Sequence, residues 1–413
     1  MPGHPSRPCE ESVTVAPTVQ GTCASEFENV RAEFARNFAE RGEVGAALAV
    51  TVDGETVVDL WGGHADADGT RPWERDTLVN VYSTSKGMTS LCAHLLADRG
   101  ELDLDAPVSR YWPEFAQAGK GDVPVRWLLS HRAGLIGPRE RLTPEDVHDW
   151  EKTCAVLAAT EPWWEPGTAQ GYHAVSFGFL VGEVVRRITG VSLGTFLRTE
   201  ITEPLGADLY IGTPAAEHHR CAQLIGPDGD GTLSSAFPGV PDGTIRSLDA
   251  HPFAPLALAM RHLPTGDVNS AACRSAEIPA ANGNATARGL AAVYRALIDG
   301  ELVGPDTLAS LRERQSRPGE TDLVLGAFAP DSALPFAWAC GYMLNTAGFF
   351  GPNRAAFGHG GAGGSLAFAD LENRLAYAYV MNKFEGGTTG DDTRNLALVN
   401  AVYAAPGLAG RAA

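Results

Sequence analysis

Two stretches of alternating apolar and polar residues stand more than three hundred positions apart in this chain, and a fold has to find a sheet for both. The first, GAALAVTVDGETVVDLWGG at residues 45–63, gives two strand-like runs joined by Asp53–Gly54, a strong hairpin signal. The second, SLAFADLENRLAYAYVM at residues 365–381, gives two more runs around a polar turn at Asp370–Asn373. Between roughly Asp105 and Pro279 the pattern changes to helical stretches, Val125–Ser130, Pro144–Ala159, Val175–Thr189 and Leu193–Ile201, separated by Gly/Pro-rich loops. The simplest assembly is one α/β domain made from both ends of the chain, residues 23–105 and 280–413, with a mainly helical domain, residues 106–279, inserted in it.

Further elements follow from spacing. Phe27, Val30, Phe34 and Phe38 recur at helical intervals and predict a helix over Ser25–Arg41. Met88, Leu91, Cys92, Leu95 and Leu96 line one face of a second helix, Thr84–Arg99, stopped by Gly100. DTLVNVY, residues 76–82, reads as a short strand leading into it, and FAWACGYML, residues 336–344, as another strand. Helices are also expected over Ala285–Leu297 and Arg394–Tyr403. Residues 1–22, rich in Pro, Ser and Thr, read as a loose tail.

Composition narrows the function. With 32 basic and 50 acidic residues the formal charge is −18, which disfavours nucleic acid or an anionic membrane as partner. No apolar run approaches the roughly 20 residues a membrane span needs. The first residues lack the basic start and apolar core of an export signal. The seven cysteines (Cys9, Cys23, Cys92, Cys154, Cys221, Cys273, Cys340) are scattered and odd in number, so incidental thiols and a cytoplasmic location are expected. HExxH, a P-loop and a GxGxxG leading out of a strand are all missing, and His218–His219 has no further ligands near it in sequence. No metal and no cofactor is expected, and nothing signals the oligomeric state.

Two serines compete as nucleophile. Ser192 sits in GVSLG, residues 190–194, a G-x-S-x-G match that works only between a strand and a helix. Here a helix precedes it, with Phe177, Leu180, Val181, Val184, Val185 and Ile188 on one face. Gly190 then reads as its C-terminal stop and Ser192 as the cap of the next helix. Ser83, in VYSTSKGMTS, has the better context. It falls at a helix start, where free N–H groups and the dipole favour negative charge, and Lys86 lies on the same face at i+3. A serine hydroxyl needs a base, and a partly buried lysine with a lowered pKa can be one. Ser85 has no such partner one turn on.

Two distant segments support Ser83. In PGTAQGYHAVSFGFL, Tyr172 follows a Pro/Gly loop and precedes a helix, which places its hydroxyl at a cleft. In FGHGGAGGSLAFAD, glycines crowd the start of a strand and signal a close backbone approach. Taken alone, Tyr172 reads as a core or loop tyrosine and His359 as a structural histidine.

In combination, Ser83-Thr-Ser-Lys86, Tyr172-His173-Ala174 and His359-Gly360-Gly361 resemble, in order, the three motifs of the serine β-lactamase and penicillin-binding-protein superfamily. The chain is most similar to its class C-like branch of family VIII carboxylesterases, over about Glu28 to Tyr403. WLLSHRAGL, GFLVGEVVRRITGVSLGTFL, PLGADLYIG and IPAANGNATARGLAAVYRAL resemble that branch too. The resemblance implies a β-lactamase/transpeptidase-like α/β (α+β) fold, an antiparallel sheet flanked by helices with an inserted mainly helical domain.

It also implies roles. Ser83 would be the acylated nucleophile, Lys86 would help take its proton, and Tyr172 would share acid–base duty toward the leaving group. The backbone N–H groups of Ser83 and Ala362 would hold the oxyanion. His359, Gly360, Gly361 and His173 would line the substrate site. Two departures stand out. The third motif usually begins with lysine, and here it is His359, largely neutral at pH 7. The second usually ends in asparagine, and here it is Ala174.

Both departures favour neutral esters over β-lactams. The leading expectation is a serine carboxylesterase acting on a small-molecule ester or acyl substrate. The alternatives are a transacylase that hands the acyl group to an amine or alcohol, weak β-lactamase or D-peptidase activity, and a non-catalytic binding domain. Trp163, Trp164, Phe237 and Phe253 are candidates for a hydrophobic acyl or alcohol pocket, or equally for core packing. The loops Gly137–His148 and Gly226–Asn269 would shape it.

Overall fold

The computed structural model describes residues 18–226, 256, 259–328, 336–384 and 392–408. Its main sheet has eight strands: β1 (Gln20–Cys23), β2 (Gly45–Val52), β3 (Glu55–Gly63), β7 (Ala337–Trp338), β8 (Met343–Leu344), β9 (Phe357–Gly360), β10 (Leu366–Asp370) and β11 (Leu375–Met381). The order is β1-β3-β2-β11-β10-β9-β8-β7, with every neighbouring pair antiparallel. A second sheet has three short strands: β4 (Val79–Asn80), β5 (Leu209–Tyr210) and β6 (Asn284–Ala285).

Both expected hairpins form, β2–β3 and β10–β11, and they meet at the centre of the sheet. There Leu375 pairs with Val52 and Met381 with Ala46. Every residue of β2 and of β11 is buried, as a strand covered on both faces requires. The frequent alanines of these two strands leave room for helices to lie close to the backbone.

Among the described residues five helices have eleven or more residues: α1 (Glu28–Glu40), α2 (Ser85–Asp98), α3 (Ser176–Thr189), α4 (Ala287–Ile298) and α5 (Thr393–Tyr403). Helix α4 packs on β2, β10 and β11, α1 packs on α5, and α2 packs on α3. Between α2 and β6 the described chain consists of helices and loops, and β5 is its only named strand. Among the described residues no helix is long and apolar enough to cross a membrane.

Several local expectations need correction. Gln20, Gly21 and Thr22, assigned to the loose tail, pair with Trp61, Leu60 and Asp59 of β3; residues 1–17 of that tail lie outside the described residues. The strand expected over residues 76–82 shrinks to β4 and joins the small sheet. The strand expected over residues 336–344 is the hairpin β7–β8, turned at Gly341 with φ +88°. The helix expected over Pro144–Ala159 is interrupted at Asp149, whose side chain accepts from Lys152 N–H and caps a fresh start.

Candidate active site

Ser83 lies on a 3₁₀ turn, Tyr82–Thr84, immediately before α2. Tyr82 holds φ +43°, a left-handed conformation that costs a bulky residue roughly 1–3 kcal/mol and persists only where neighbours enforce it. They do so here. Tyr82 N–H donates to Asn80 Oδ1 at 2.9 Å. The Ser85 hydroxyl donates to Tyr82 O at 2.5 Å and accepts from Gly283 N–H at 3.0 Å. The second serine of the quoted segment is thus a buried latch on the turn.

The turn is also stitched to the sheet, since Ser365 Oγ donates to Val81 O at 2.9 Å and lies 3.1 Å from Thr84 Oγ1. Gly361 makes that approach feasible: a Cβ there would sit 2.3 Å from Val81 O. This is the close contact that the glycine cluster signalled.

Lys86, on the first turn of α2, has no exposed surface. Its Nζ is 3.0 Å from Ser83 Oγ, 2.7 Å from Ala174 O and 2.9 Å from Ala280 O. Burial pushes its pKa well below the ordinary lysine range. Tyr172 approaches the same serine from the inserted segment and donates its O–H to Ser83 Oγ at 2.8 Å. Burial pushes its phenol up, against the opposing pull of that hydrogen bond. The Tyr172 ring lies nearly parallel to Trp338, with centroids 5.3 Å apart and planes at 17°. Ser83, Lys86 and Tyr172 are therefore brought together.

His359 stands on β9, close to both. Its ring centroid is 6.3 Å from Tyr172 and 5.6 Å from Trp338. Nδ1 is 2.7 Å from Gly360 O, so it carries the proton, and the buried Nε2 has no partner among the described residues. Burial pushes its pKa down to about 3. The imidazole is neutral at every ordinary pH.

His173 departs from expectation. It is fully buried, with Nδ1–H on Gly171 O at 2.7 Å and Nε2 accepting from Leu135 N–H at 3.0 Å. With both nitrogens occupied it acts as a strut under the tyrosine loop, and it does not present a group to a pocket.

Gly360 ends β9, and Gly361 N–H closes on Ser365 O at 2.7 Å. Ala362 follows, partly exposed between buried neighbours. Among the described residues, neither its N–H nor that of Ser83 is taken up by another group. The loop is held from behind by α5. Arg394 Nη2 donates to Gly363 O at 3.0 Å, and Asn395 Nδ2 donates to Gly364 O at 3.2 Å. Arg394 is itself buried and ion-paired with Glu43 at 3.0 Å and Asp392 at 2.6 Å.

Ser192 is a cap, as its context implied. Gly190 ends α3 with φ +75°, and Ser192 Oγ accepts from Thr195 N–H at 3.2 Å while donating to Glu277 Oε1 at 2.6 Å. Of the pocket aromatics, Trp163 and Trp164 are half-buried against the core; Phe237 and Phe253 lie outside the described residues, as does most of the Gly226–Asn269 loop.

Sequence reasoning missed His131, Trp338, Asp322 and Arg394. His131 packs on Tyr172, His173, Phe177 and Trp338, and it lies within WLLSHRAGL, one of the segments that carried the resemblance. For the other three no local pattern marks a role.

A helix-starting serine and lysine, a tyrosine just ahead of α3 and a glycine-rich strand end beside an antiparallel sheet are the arrangement of the β-lactamase-like class of serine enzymes. The Beta-lactamase family model matches residues 31–401, and the chain belongs to that family. It is 36% identical over 381 residues to the Esterase/beta-lactamase LipL of Mycobacterium tuberculosis, covering 88% of this chain and 83% of that protein. A solved family VIII carboxylesterase superposes with a TM-score of 0.82 at 43% identity, over 94% of this chain and 100% of the other. A penicillin-binding protein homologue from Caulobacter crescentus gives 0.80 at 40% identity, over 94% and 100%.

Proposed function

We propose that the protein is a serine hydrolase that cleaves uncharged carboxylic esters through an acyl-enzyme on Ser83, with Lys86 as base and Tyr172 as proton donor to the leaving group. One observation carries this reading: the Lys86 amine touches Ser83 Oγ and two backbone carbonyls. Carbonyl oxygens only accept, so Ala174 O and Ala280 O each claim an N–H. In the neutral amine that burial favours, the lone pair is left facing Ser83. Tyr172, held as a neutral phenol, donates to the same oxygen from the other side.

The steps follow from that arrangement. Ser83 gives its proton to Lys86 Nζ as Oγ bonds to the ester carbonyl carbon. The developing oxyanion lies toward the N–H groups of Ser83 and Ala362. When the C–O bond breaks, the alkoxide takes the Tyr172 proton, and the phenolate recovers one from the Lys86 ammonium. Water then attacks the acyl carbon, the acid leaves, and Ser83 regains its hydrogen.

Substrate charge is limited by the neutral His359 and by the methyl of Ala174, neither of which offers a cation or an amide to a substrate carboxylate. The esterase names of similar proteins are consistent with this reading. Intact-mass analysis after brief exposure to p-nitrophenyl acetate tests it. An acetyl adduct or turnover is expected in wild type and in Ser192→Ala, and neither in Ser83→Ala. Full activity in Ser83→Ala would sink the mechanism.

A further inference from the structure

Asp322 is a buried carboxylate, 7% exposed, some distance in sequence from every motif of the site. One of its oxygens, Oδ1, accepts three backbone N–H groups: Tyr172 at 3.0 Å, Val324 at 2.9 Å and Leu325 at 2.9 Å. Leu323 N–H reaches back to Gln170 O at 2.8 Å, so the two segments are zipped together on both sides of the carboxylate. The Trp338 indole N–H faces the same carboxyl, although it does not close to full hydrogen-bond geometry. Trp338 is the ring on which Tyr172 lies. One side chain thus anchors the backbone of the tyrosine to the turn that follows it, at Val324 and Leu325.

The surrounding loop is tied down in the same direction. Arg132 makes a two-pronged pair with Glu320 at 2.7 and 3.0 Å. Arg132 and Arg317 both donate to Gly167 O, at 3.0 and 3.1 Å. Burial pushes the Asp322 carboxyl above its ordinary value and the three amides pull it back, so what this side chain supplies is one oxygen that accepts three backbone N–H groups at once.

We infer that Asp322 is the positioning residue of Tyr172, fixing the backbone from which the phenol hydroxyl reaches Ser83. The inference rests on the proton-donor role proposed for Tyr172. Misplacing a reacting group by about 1 Å costs on the order of 100-fold, and that loss should depend on how much the leaving group needs its proton. A nitrophenolate leaves as a stable anion, whereas an ethoxide does not.

The test is kcat and KM for the ethyl and p-nitrophenyl esters of one acid in wild type, Asp322→Ala, Asp322→Asn and Tyr172→Phe. Asp322→Ala should lower kcat for the ethyl ester about 100-fold, with at least tenfold less effect on the nitrophenyl ester and little change in KM. Asp322→Asn, whose Oδ1 can accept the same three bonds, should recover most of the ethyl-ester rate. If Asp322→Ala does not fold, Asp322→Ser, a shorter acceptor, should show the same discrimination between esters. Equal losses on both esters, no loss at all, or an Asn variant as impaired as the Ala variant would overturn the inference while Tyr172→Phe still discriminated. A Tyr172→Phe enzyme that treated the two esters like wild type would instead remove the proton-donor reading beneath it.

Discussion

Lys86 Nζ lies 4.8 Å from the centre of the Tyr172 ring, and the two side chains share a single acceptor–donor atom, Ser83 Oγ. Neither can move without altering the hydrogen bond that the other makes. Groups coupled in this way lose catalysis together. Lys86→Ala and Tyr172→Phe should each lower kcat by roughly 10²–10⁴-fold, and the double variant should be little worse than the poorer single one. Steady-state kinetics on the four proteins checks this; multiplicative losses would mean that the residues act in separate steps.

The pH profile should carry the signature of a depressed lysine. Lys86 works as a base only when neutral, so activity should rise with pH as it loses its proton, at a midpoint below the ordinary lysine range. His173 is held down to about 4 and His359 to about 3, so neither adds a step near neutrality. The limb should vanish in Lys86→Arg, whose guanidinium stays charged. Its survival in that variant would assign it to another group.

Stability should fall on acidification. His94 and His173 are pushed down to about 4, His359 to about 3, and His131 well below its ordinary value, burial being the first cause in each. Below about pH 6.5 the unfolded chain binds protons that the native state refuses, so stability is lost as pH drops toward 4. Glu43, pushed up to about 7 by burial, acts in the opposite sense between about 4.5 and 7. Each of the four histidines contributes a loss of roughly 2 kcal/mol at pH 5, and together they outweigh Glu43, Glu277 and Asp322, whose carboxyls burial raises. Urea midpoints at pH 7.5 and 5 should show a clear drop at the lower pH; a flat or rising midpoint contradicts it.

Ser192→Ala should separate stability from activity. The lost cap costs about 1 kcal/mol, and the half-satisfied Glu277 adds a further roughly 1–3 kcal/mol. Thermal unfolding should register this while kcat for an aryl ester stays unchanged.

A chromogenic cephalosporin should be a poor substrate. Without a cation at His359 the enzyme forgoes a charged hydrogen bond worth about 1.5–3 kcal/mol, or roughly ten- to a hundredfold in kcat/KM. A rate equal to that on aryl acetates would argue that the carboxylate is bound by another group.

The parts of this site that could be read in the sequence are those whose evidence is local. Ser83 and Lys86 share one helical turn, the Gly361 cluster announces a backbone contact, and Gly190 followed by Ser192 spells a joint between helices. Asp322 and Arg394 escaped because they act on backbone atoms of segments far from them in sequence, and no periodicity reports that. The strand expected over residues 76–82 forms only at Val79–Asn80, and the one expected over residues 336–344 splits into two, for a related reason. Strand propensity was present, but partner and length are set by distant chain and, at Gly341, by a turn that abuts the Ser90 hydroxyl.

The central join of the sheet, β2 against β11, sets a schedule for biosynthesis. Residues 45–52 are buried along their whole length, yet their partner, residues 375–381, is made more than three hundred residues after them. Helix α5, which holds the Ala362 loop, comes later still. Until that partner emerges the first hairpin has an unpaired edge, exposed to other chains and dependent on whatever shields nascent polypeptide. Loop closure over such a separation also makes folding slow. Yield in a foreign host should therefore be limited by how long that edge waits for its partner.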